Sequence, residues 1–496
     1  MATFGSINYL RLLFGSSAGR VVGNWSLYTI GGFLPQAISI FLLPVFTRYL
    51  SPNDYGILAY SAVIGTFFNI IGSLSIHAYV LRHYYDYDTA EGRRTLLGTI
   101  LAFTIVYNAA LLTSCFLIGP HIFAILQIQV PFSPFVEFML VATAMEIIVQ
   151  IPLSYFRVEE KASKFVLMSS VLALLNAGLS LYLVVNREMG LLGRYYGQLA
   201  ADALMVIVSL YILSGIARVT WNSSIVFKAM NFCLPLIPAQ FLAAFSTVSD
   251  RLILERFAPL SELGLYSVGS SLAYCLAIVS TGAYTAMQPQ ICRLASQSRL
   301  DDAILSIKRI VVSIYALMVC CAIAFSKDAI ALLASSPFHS SYKIAILLII
   351  SMGIQAFLTI GPSLYLLATD RTKFEPTVRL GGAIVSLISM MILTPSLGIY
   401  GAGAASILSA CTTLFFYERT IGTYSKVKWD FSRDLSVFFY AAILGCLVLQ
   451  IQLDSIFVSI AAKLLVMAVV IGIYAFRAGS GLFALGNDIG TTFSGQ

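Results

Sequence analysis

Long apolar runs alternate with short polar connections along almost the whole chain. Each run reaches the ~20 residues that a helix needs to cross a bilayer's hydrocarbon. The pattern predicts about fourteen transmembrane helices, at approximately 21–47, 56–79, 96–118, 135–157, 165–186, 191–215, 232–255, 264–289, 308–334, 343–368, 377–396, 399–421, 435–453 and 456–477. Within 377–421 only Pro395 and Gly398 mark a break. The longest connection on the expected outer side, 119–134, is apolar and contains proline, so it reads as a loop. No connection is long enough for a folded domain. Residues 7–14 read as a short interfacial helix or a frayed tail. The Gly/Ser-rich stretch after Arg477 reads as a flexible tail.

The pattern repeats itself. Arg48-Tyr49 and Asp54-Tyr55-Gly56-Ile57 recur as Arg256-Phe257 and Glu262-Leu263-Gly264-Leu265, at an offset of 208 residues. Gly190-Leu191-Leu192-Gly193 recurs as Gly398-Ile399-Tyr400-Gly401 at the same offset. A third echo drifts by two residues: Pro152, Tyr155, Glu160 and Lys161 against Pro362, Tyr365, Asp370 and Arg371. Six spans separate the copies, so both enter the membrane in the same direction. The expected architecture is all-α and polytopic, with two pseudo-twofold-related six-helix lobes plus two extra helices. The implied segments are 1–20, an N-lobe at 21–215, a linker at 216–231, a C-lobe at 232–421, two helices within 435–477, and a tail at 478–496.

Composition agrees. Of 496 residues, 59% are hydrophobic and 11% charged, with a mean hydropathy of +0.88. A soluble protein carries about 25% charged residues. Most of the 30 lysines and arginines fall in alternate connections if the N-terminus is cytoplasmic. That asymmetry places both termini inside. It also accounts for the net charge of +7 without nucleic acid. Of the eight cysteines only Cys292 lies outside the spans, and no Cys-x-x-Cys occurs. Neither a disulfide framework nor a metal site is expected.

Charges inside spans need a reason, because each costs a few kcal/mol or more. Glu146 and Asp202 lie near the middle of the fourth and sixth spans. A carboxylate in low dielectric can exchange a proton near neutral pH, which suits an ion-coupling site; a hydrogen-bonded structural carboxylate is the plainer alternative. Asp250 and Arg251 sit in the outer third of the seventh span. Arg251 can pair with Glu255 four residues on, as an ordinary interfacial ion pair, or line a cavity. Arg48 and Arg82 mark the ends of the first two spans, where they either snorkel to lipid phosphate or face a cavity. Asn24, Gln36, Asn69, Asn176, Gln240, Ser246, Thr247, Gln288 and Gln355 are candidate sugar contacts or bonds between helices. Prolines and glycines break the corresponding first and seventh spans: Gly31, Gly32, Pro35 and Pro44, then Pro235 and Pro238. Asp86-Tyr87-Asp88 has the spacing of a metal–nucleotide motif but lies in a short loop, not at a strand end.

Arg48-Tyr49-Leu50-Ser51-Pro52-Asn53-Asp54-Tyr55-Gly56 resembles the polysaccharide-biosynthesis (O-antigen and repeat-unit flippase) branch of the multidrug/oligosaccharidyl-lipid/polysaccharide exporter superfamily. So do Asp250-Arg251-Leu252-Ile253-Leu254, Glu262-Leu263-Gly264-Leu265-Tyr266-Ser267 and Gly398-Ile399-Tyr400-Gly401-Ala402. The resemblance implies a non-enzymatic flippase in a bacterial inner membrane. It would move polyprenyl-pyrophosphate-linked oligosaccharides by alternating access, with a proton or sodium gradient and no cofactor. Its implied partners are the lipid-linked substrate, membrane lipids and other polysaccharide-assembly membrane proteins. Its implied cationic cavity makes Arg48, Arg82 and Arg251, with Asp250, the candidate substrate contacts, because guanidinium binds phosphate oxygens bidentately. A multidrug or cation antiporter of the same fold and a membrane polymerase or transferase remain as alternatives.

Overall fold

The computed structural model describes residues 35, 37–296, 300–369, 371–423, 431–451 and 458–469. The segment at 7–14, Asn24, Gly31, Gly32, Gln36 and the tail after Arg477 lie outside them. Among the described residues, fourteen apolar helical segments overlap the predicted spans. They are α1 (Ala37–Tyr49), α2 (Pro52–Ser73), α3 (Ala90–Leu126), α4 (Phe132–Val158), α5 (Ala162–Asn186), α6 (Gly190–Ile216), α7 (Ser223–Phe257), α8 (Leu260–Ser296), α9 (Leu300–Leu333), α10 (Ser341–Ala368), α11 (Glu375–Leu397), α12 (Ile399–Gly422), α13 (Phe431–Leu449) and α14 (Val458–Val469). Twelve are long and apolar enough to cross a membrane; α1 and α14 are shorter over the described residues. No strand occurs among the described residues.

Two expectations need correction. The loop at 119–134 is mostly helix, because α3 runs on to Leu126 with Pro120 inside it. At 1.5 Å per residue its 37 residues span about 55 Å, well beyond the ~30 Å hydrocarbon. Only residues 127–131 connect α3 to α4. Gln127, at φ 52°, closes the helix by donating its backbone N–H to the Ala124 and Phe123 carbonyls. The second correction concerns the span at 56–79, which is not one helix. α2 stops at Ser73, and a separate helix covers Ile76–His83. Between them Leu74 (φ 45°) and Ser75 (φ 57°) both adopt the left-handed conformation. That is costly for residues with a Cβ. Asn108 on α3 holds the break by donating its side-chain amide to the Gly72 carbonyl at 3.0 Å.

The chain divides into two compact units, Met1–Ser267 and Val268–Gln496. In the first, α2 packs against α4 and α7, and Phe67 lies 4.9 Å from Phe241 between ring centroids. The start of α2 also meets the start of α8 reciprocally. A Cβ on Gly56 would overlap the Leu260 carbonyl, and one on Gly264 would overlap the Pro52 carbonyl. These are repeat-related positions, so the duplication closes on itself here. Ser51 caps α2 in a capping box with Asp54, which fixes where this contact begins.

In the second unit α11 and α12 form a tight antiparallel pair, turned at Gly398. Its φ of 56° and ψ of −135° suit glycine alone. Gly190 has φ 53° at the matching turn between α5 and α6. α13 and α14 attach to α9 through two buried ion pairs. Lys308 Nζ lies 2.7 Å from an Asp434 carboxylate oxygen, and Lys463 Nζ lies 2.5 Å from Asp328. Lys463 is fully buried.

Gly56→Val and Gly264→Val should each lower the thermal midpoint of purified protein, because overpacking costs about 1–3 kcal/mol. Gly178→Val, where a Cβ meets nothing within 4 Å, is the control. Lys463→Met alone should cost about 3–5 kcal/mol by stranding Asp328, whereas Lys463→Met with Asp328→Leu should recover most of it. Denaturation of the two variants beside wild type checks this.

Candidate functional site

The mid-span charges of the first unit gather around α6. Asp202 is buried at 3% exposure, within electrostatic reach of both Glu146 on α4 and Arg194 on its own helix. Glu146 lies on an open face of α4. Arg194 was not singled out from sequence, although it stands eight residues before Asp202, about two helical turns. Its Nη1 donates to Asn176 Oδ1 and to Ser180 Oγ, both at 2.9 Å on α5. Its guanidinium lies 5.6 Å from the Phe46 ring centroid on α1. Gly197 allows this approach of α6 to α5, since a Cβ there would run into the Ser180 backbone. Asn176 therefore serves a bond between helices, the plainer of its two readings.

The remaining candidates occupy the two ends of the unit. Arg48 is exposed at the end of α1. Arg82 follows the α2 break and is exposed, with Nη1 3.6 Å from Asp86. All of α2 separates them, about 33 Å. They cannot grip one phosphate together. Asp250 accepts the Tyr266 hydroxyl at 2.5 Å, and its other oxygen accepts the Arg251 backbone N–H. Arg251 is half-buried beside it. Glu255, the expected partner of Arg251, is instead buried, accepting the Gln129 backbone N–H at 2.5 Å. Arg256 donates to the Leu126 carbonyl at 3.1 Å. The connection between α3 and α4 is thus tied to the end of α7.

At the Arg82 end, polar side chains strap the α2–α3 loop onto the α4–α5 turn. Tyr84 donates its hydroxyl to Glu159 at 2.9 Å, Tyr85 donates to the Val158 carbonyl, and Arg93 stacks over both rings. Lys161 bonds Glu159 and the Tyr155 hydroxyl, each at 3.2 Å. Burial pushes the Glu159 carboxyl upward, but the bonds from Tyr84 and Lys161 win and hold it below the usual range. The Tyr155 bond raises Lys161. Asp86 is committed to His83, at 2.6 Å, and that bond lowers its carboxyl. The Asp86-Tyr87-Asp88 run is thus part of a loop clamp. No group of three or more metal-ligating side chains occurs among the described residues.

Membrane-length helices thus frame a buried carboxylate, Asp202, at mid-span. Solved structures share this fold. One described as the lipid II flippase MurJ, in an inward closed conformation, aligns with a TM-score of 0.71 at 12% identity, covering 91% of this chain and 99% of that one. An inward-facing multidrug-resistance MATE family transporter of the MOP superfamily aligns at 0.61 and 12% identity, covering 81% and 98%. These neighbours are a flippase and a transporter, not enzymes. The chain belongs to the polysaccharide biosynthesis protein family, whose model matches residues 45–343. A Haemophilus influenzae protein of the Lsg locus is 22% identical over 283 residues, 55% of this chain. The match spans 66% of that relative's length.

Glu159 contributes stability above its unfolded pKa of about 4.3 and loses it as pH falls through its lower folded value. Tyr84→Phe should therefore cost about 1 kcal/mol at pH 7. The difference from wild type should vanish well below pH 4 in thermal melts.

Proposed function

We propose that this protein is a flippase for polyprenyl-pyrophosphate-linked oligosaccharides, serving O-antigen, capsule or exopolysaccharide assembly in a bacterial inner membrane. The observation that carries the reading is the family match over residues 45–343 on this transporter fold. Glu146 and Asp202 are proposed as the coupling site for a proton or sodium gradient. Their placement supports it. A mid-span carboxylate on an open helix face avoids a cost of a few kcal/mol only if that face meets water, so Glu146 would line a cavity with Asp202 behind it. Arg194 would offset one of the two negative charges, leaving the pair able to bind a single cation. Arg48, Arg82 and Arg251 would meet the pyrophosphate at successive stages of transit, since Arg48 and Arg82 are too far apart to act together. Both termini would be cytoplasmic.

Deleting the gene should make lipid-linked repeats accumulate on the cytoplasmic leaflet. Normal surface polysaccharide without accumulation overturns the reading, and altered drug susceptibility with intact polysaccharide favours an antiporter. Glu146→Gln and Asp202→Asn should each cut gradient-driven flux in reconstituted vesicles at least tenfold, with thermal midpoints near wild type. Wild-type flux in both removes them from coupling.

A further inference from the structure

Arg194 differs from the buried lysines in what it meets. Lys308 and Lys463 each face a carboxylate within 2.7 Å. Among the described residues Arg194 has no such partner, and its Nη1 donates only to the neutral oxygens of Asn176 and Ser180. Asp202, the carboxylate within its electrostatic reach, stands eight residues on, about 12 Å along the helix. That is beyond ion-pair distance. A guanidinium held against protein rather than water calls for a counter-charge.

The way Arg194 is held leaves one edge of the group for a ligand. With Nη1 committed to α5, Nε and Nη2 make no hydrogen bond among the described residues. Those two nitrogens form a side of the fork that can take two oxygens of one phosphate. An unrestrained arginine near a helix end would swing out to water. This one is tied inward at two points, and one of its anchors, Ser180, is fully buried. Phe46 on α1 and Tyr55 on α2, the latter within electrostatic reach, stand beside it. Residues of four helices thus surround one half-buried cation. Its ties are neutral, so its full charge remains available to an anion.

We propose that Arg194 forms a phosphate-binding site in the first unit, gripping two phosphate oxygens through Nε and Nη2. Asn176 and Ser180 are its positioning residues. The pyrophosphate of a lipid-linked oligosaccharide and the headgroup phosphate of an anionic lipid share this chemistry. Assigning the phosphate to the lipid-linked substrate rests on the flippase reading; the site itself does not.

The test is thermal unfolding of the purified full chain in non-ionic detergent. It is titrated with inorganic pyrophosphate, farnesyl pyrophosphate or phosphatidylglycerol, against sodium chloride of equal ionic strength. The expected result is a saturable rise of about 2–4 °C with both pyrophosphates. Arg194→Gln should abolish it. Arg194→Lys should raise the half-saturating concentration at least about fivefold, because an ammonium lacks the fork. Asn176→Asp serves where Arg194→Gln does not fold. A carboxylate at 176 would neutralise Arg194 from within, raising the ligand-free midpoint and raising the half-saturating concentration at least about tenfold. Arg187→Gln, at an exposed arginine just past α5, should leave it within about twofold. A preference of about tenfold or more for farnesyl pyrophosphate over phosphatidylglycerol assigns the site to the carrier lipid, and equal responses assign it to headgroups. Both outcomes keep the site. No rise above sodium chloride overturns the proposal. So does a rise that survives Arg194→Gln or Asn176→Asp, or one that Arg187→Gln removes. Normal surface polysaccharide without accumulation in the deletion strain would remove the flippase reading and leave this result standing.

Discussion

Hydrocarbon offers no partner to a peptide group, and that constraint organises the molecule. Every N–H and C=O at membrane depth must find its bond within the protein, and apolar runs of about 20 residues meet that demand as helices. Departures from helix are then expensive and visible. At the α2 break the Asn108 amide takes the Gly72 carbonyl. At Gln127 and Gly398 the helix ends are closed by backbone bonds to Ala124 and Thr394. Pro120, Pro152 and Pro362 sit inside helices without ending them. The hydrophobic effect does not drive these helices together, because lipid is as apolar as their side chains. What joins them is close backbone approach and a few polar contacts.

Each unit uses these means differently. The first joins its helices through glycines and surface polar contacts: Gly56 and Gly264 at one end, the strap of Tyr84 and Lys161 around Glu159 at the other. Asp202, within electrostatic reach of Glu146 and Arg194, lies midway along α6. The second unit places its buried charges in the pairs Lys308–Asp434 and Lys463–Asp328. A paired charge is committed to structure, whereas a carboxylate on an open face remains able to exchange an ion. The proposed coupling chemistry therefore lies in the first unit.

How much could be read beforehand differs by feature. Helix count and placement follow from span length, a property of composition that neighbours do not alter. The turn glycines Gly190 and Gly398 were visible because the duplication printed them twice. The extension of α3 through 119–126 was hidden because a proline in an apolar run looks the same in a loop and in a helix whose neighbours absorb the freed carbonyl. The α2 break carries no proline, and the residues at it, Leu74 and Ser75, do not favour left-handed backbone. Asn108, more than thirty residues away, supplies a bond to the Gly72 carbonyl there that no local pattern announces.

The linear chain by itself determined an all-helical membrane protein, its duplication and the two carboxylates at membrane depth. These depend on local hydropathy and on repetition, which need no fold to be read. Tertiary structure alone decided which charges meet. Glu146 on α4 comes within electrostatic reach of Asp202 on α6, Asp250 is spent on Tyr266, Glu255 turns to Gln129, and Lys463 finds Asp328. The reason is distance. Side chains on different helices become neighbours only when the helices pack, and no periodicity along one helix reports which residue of another will stand opposite.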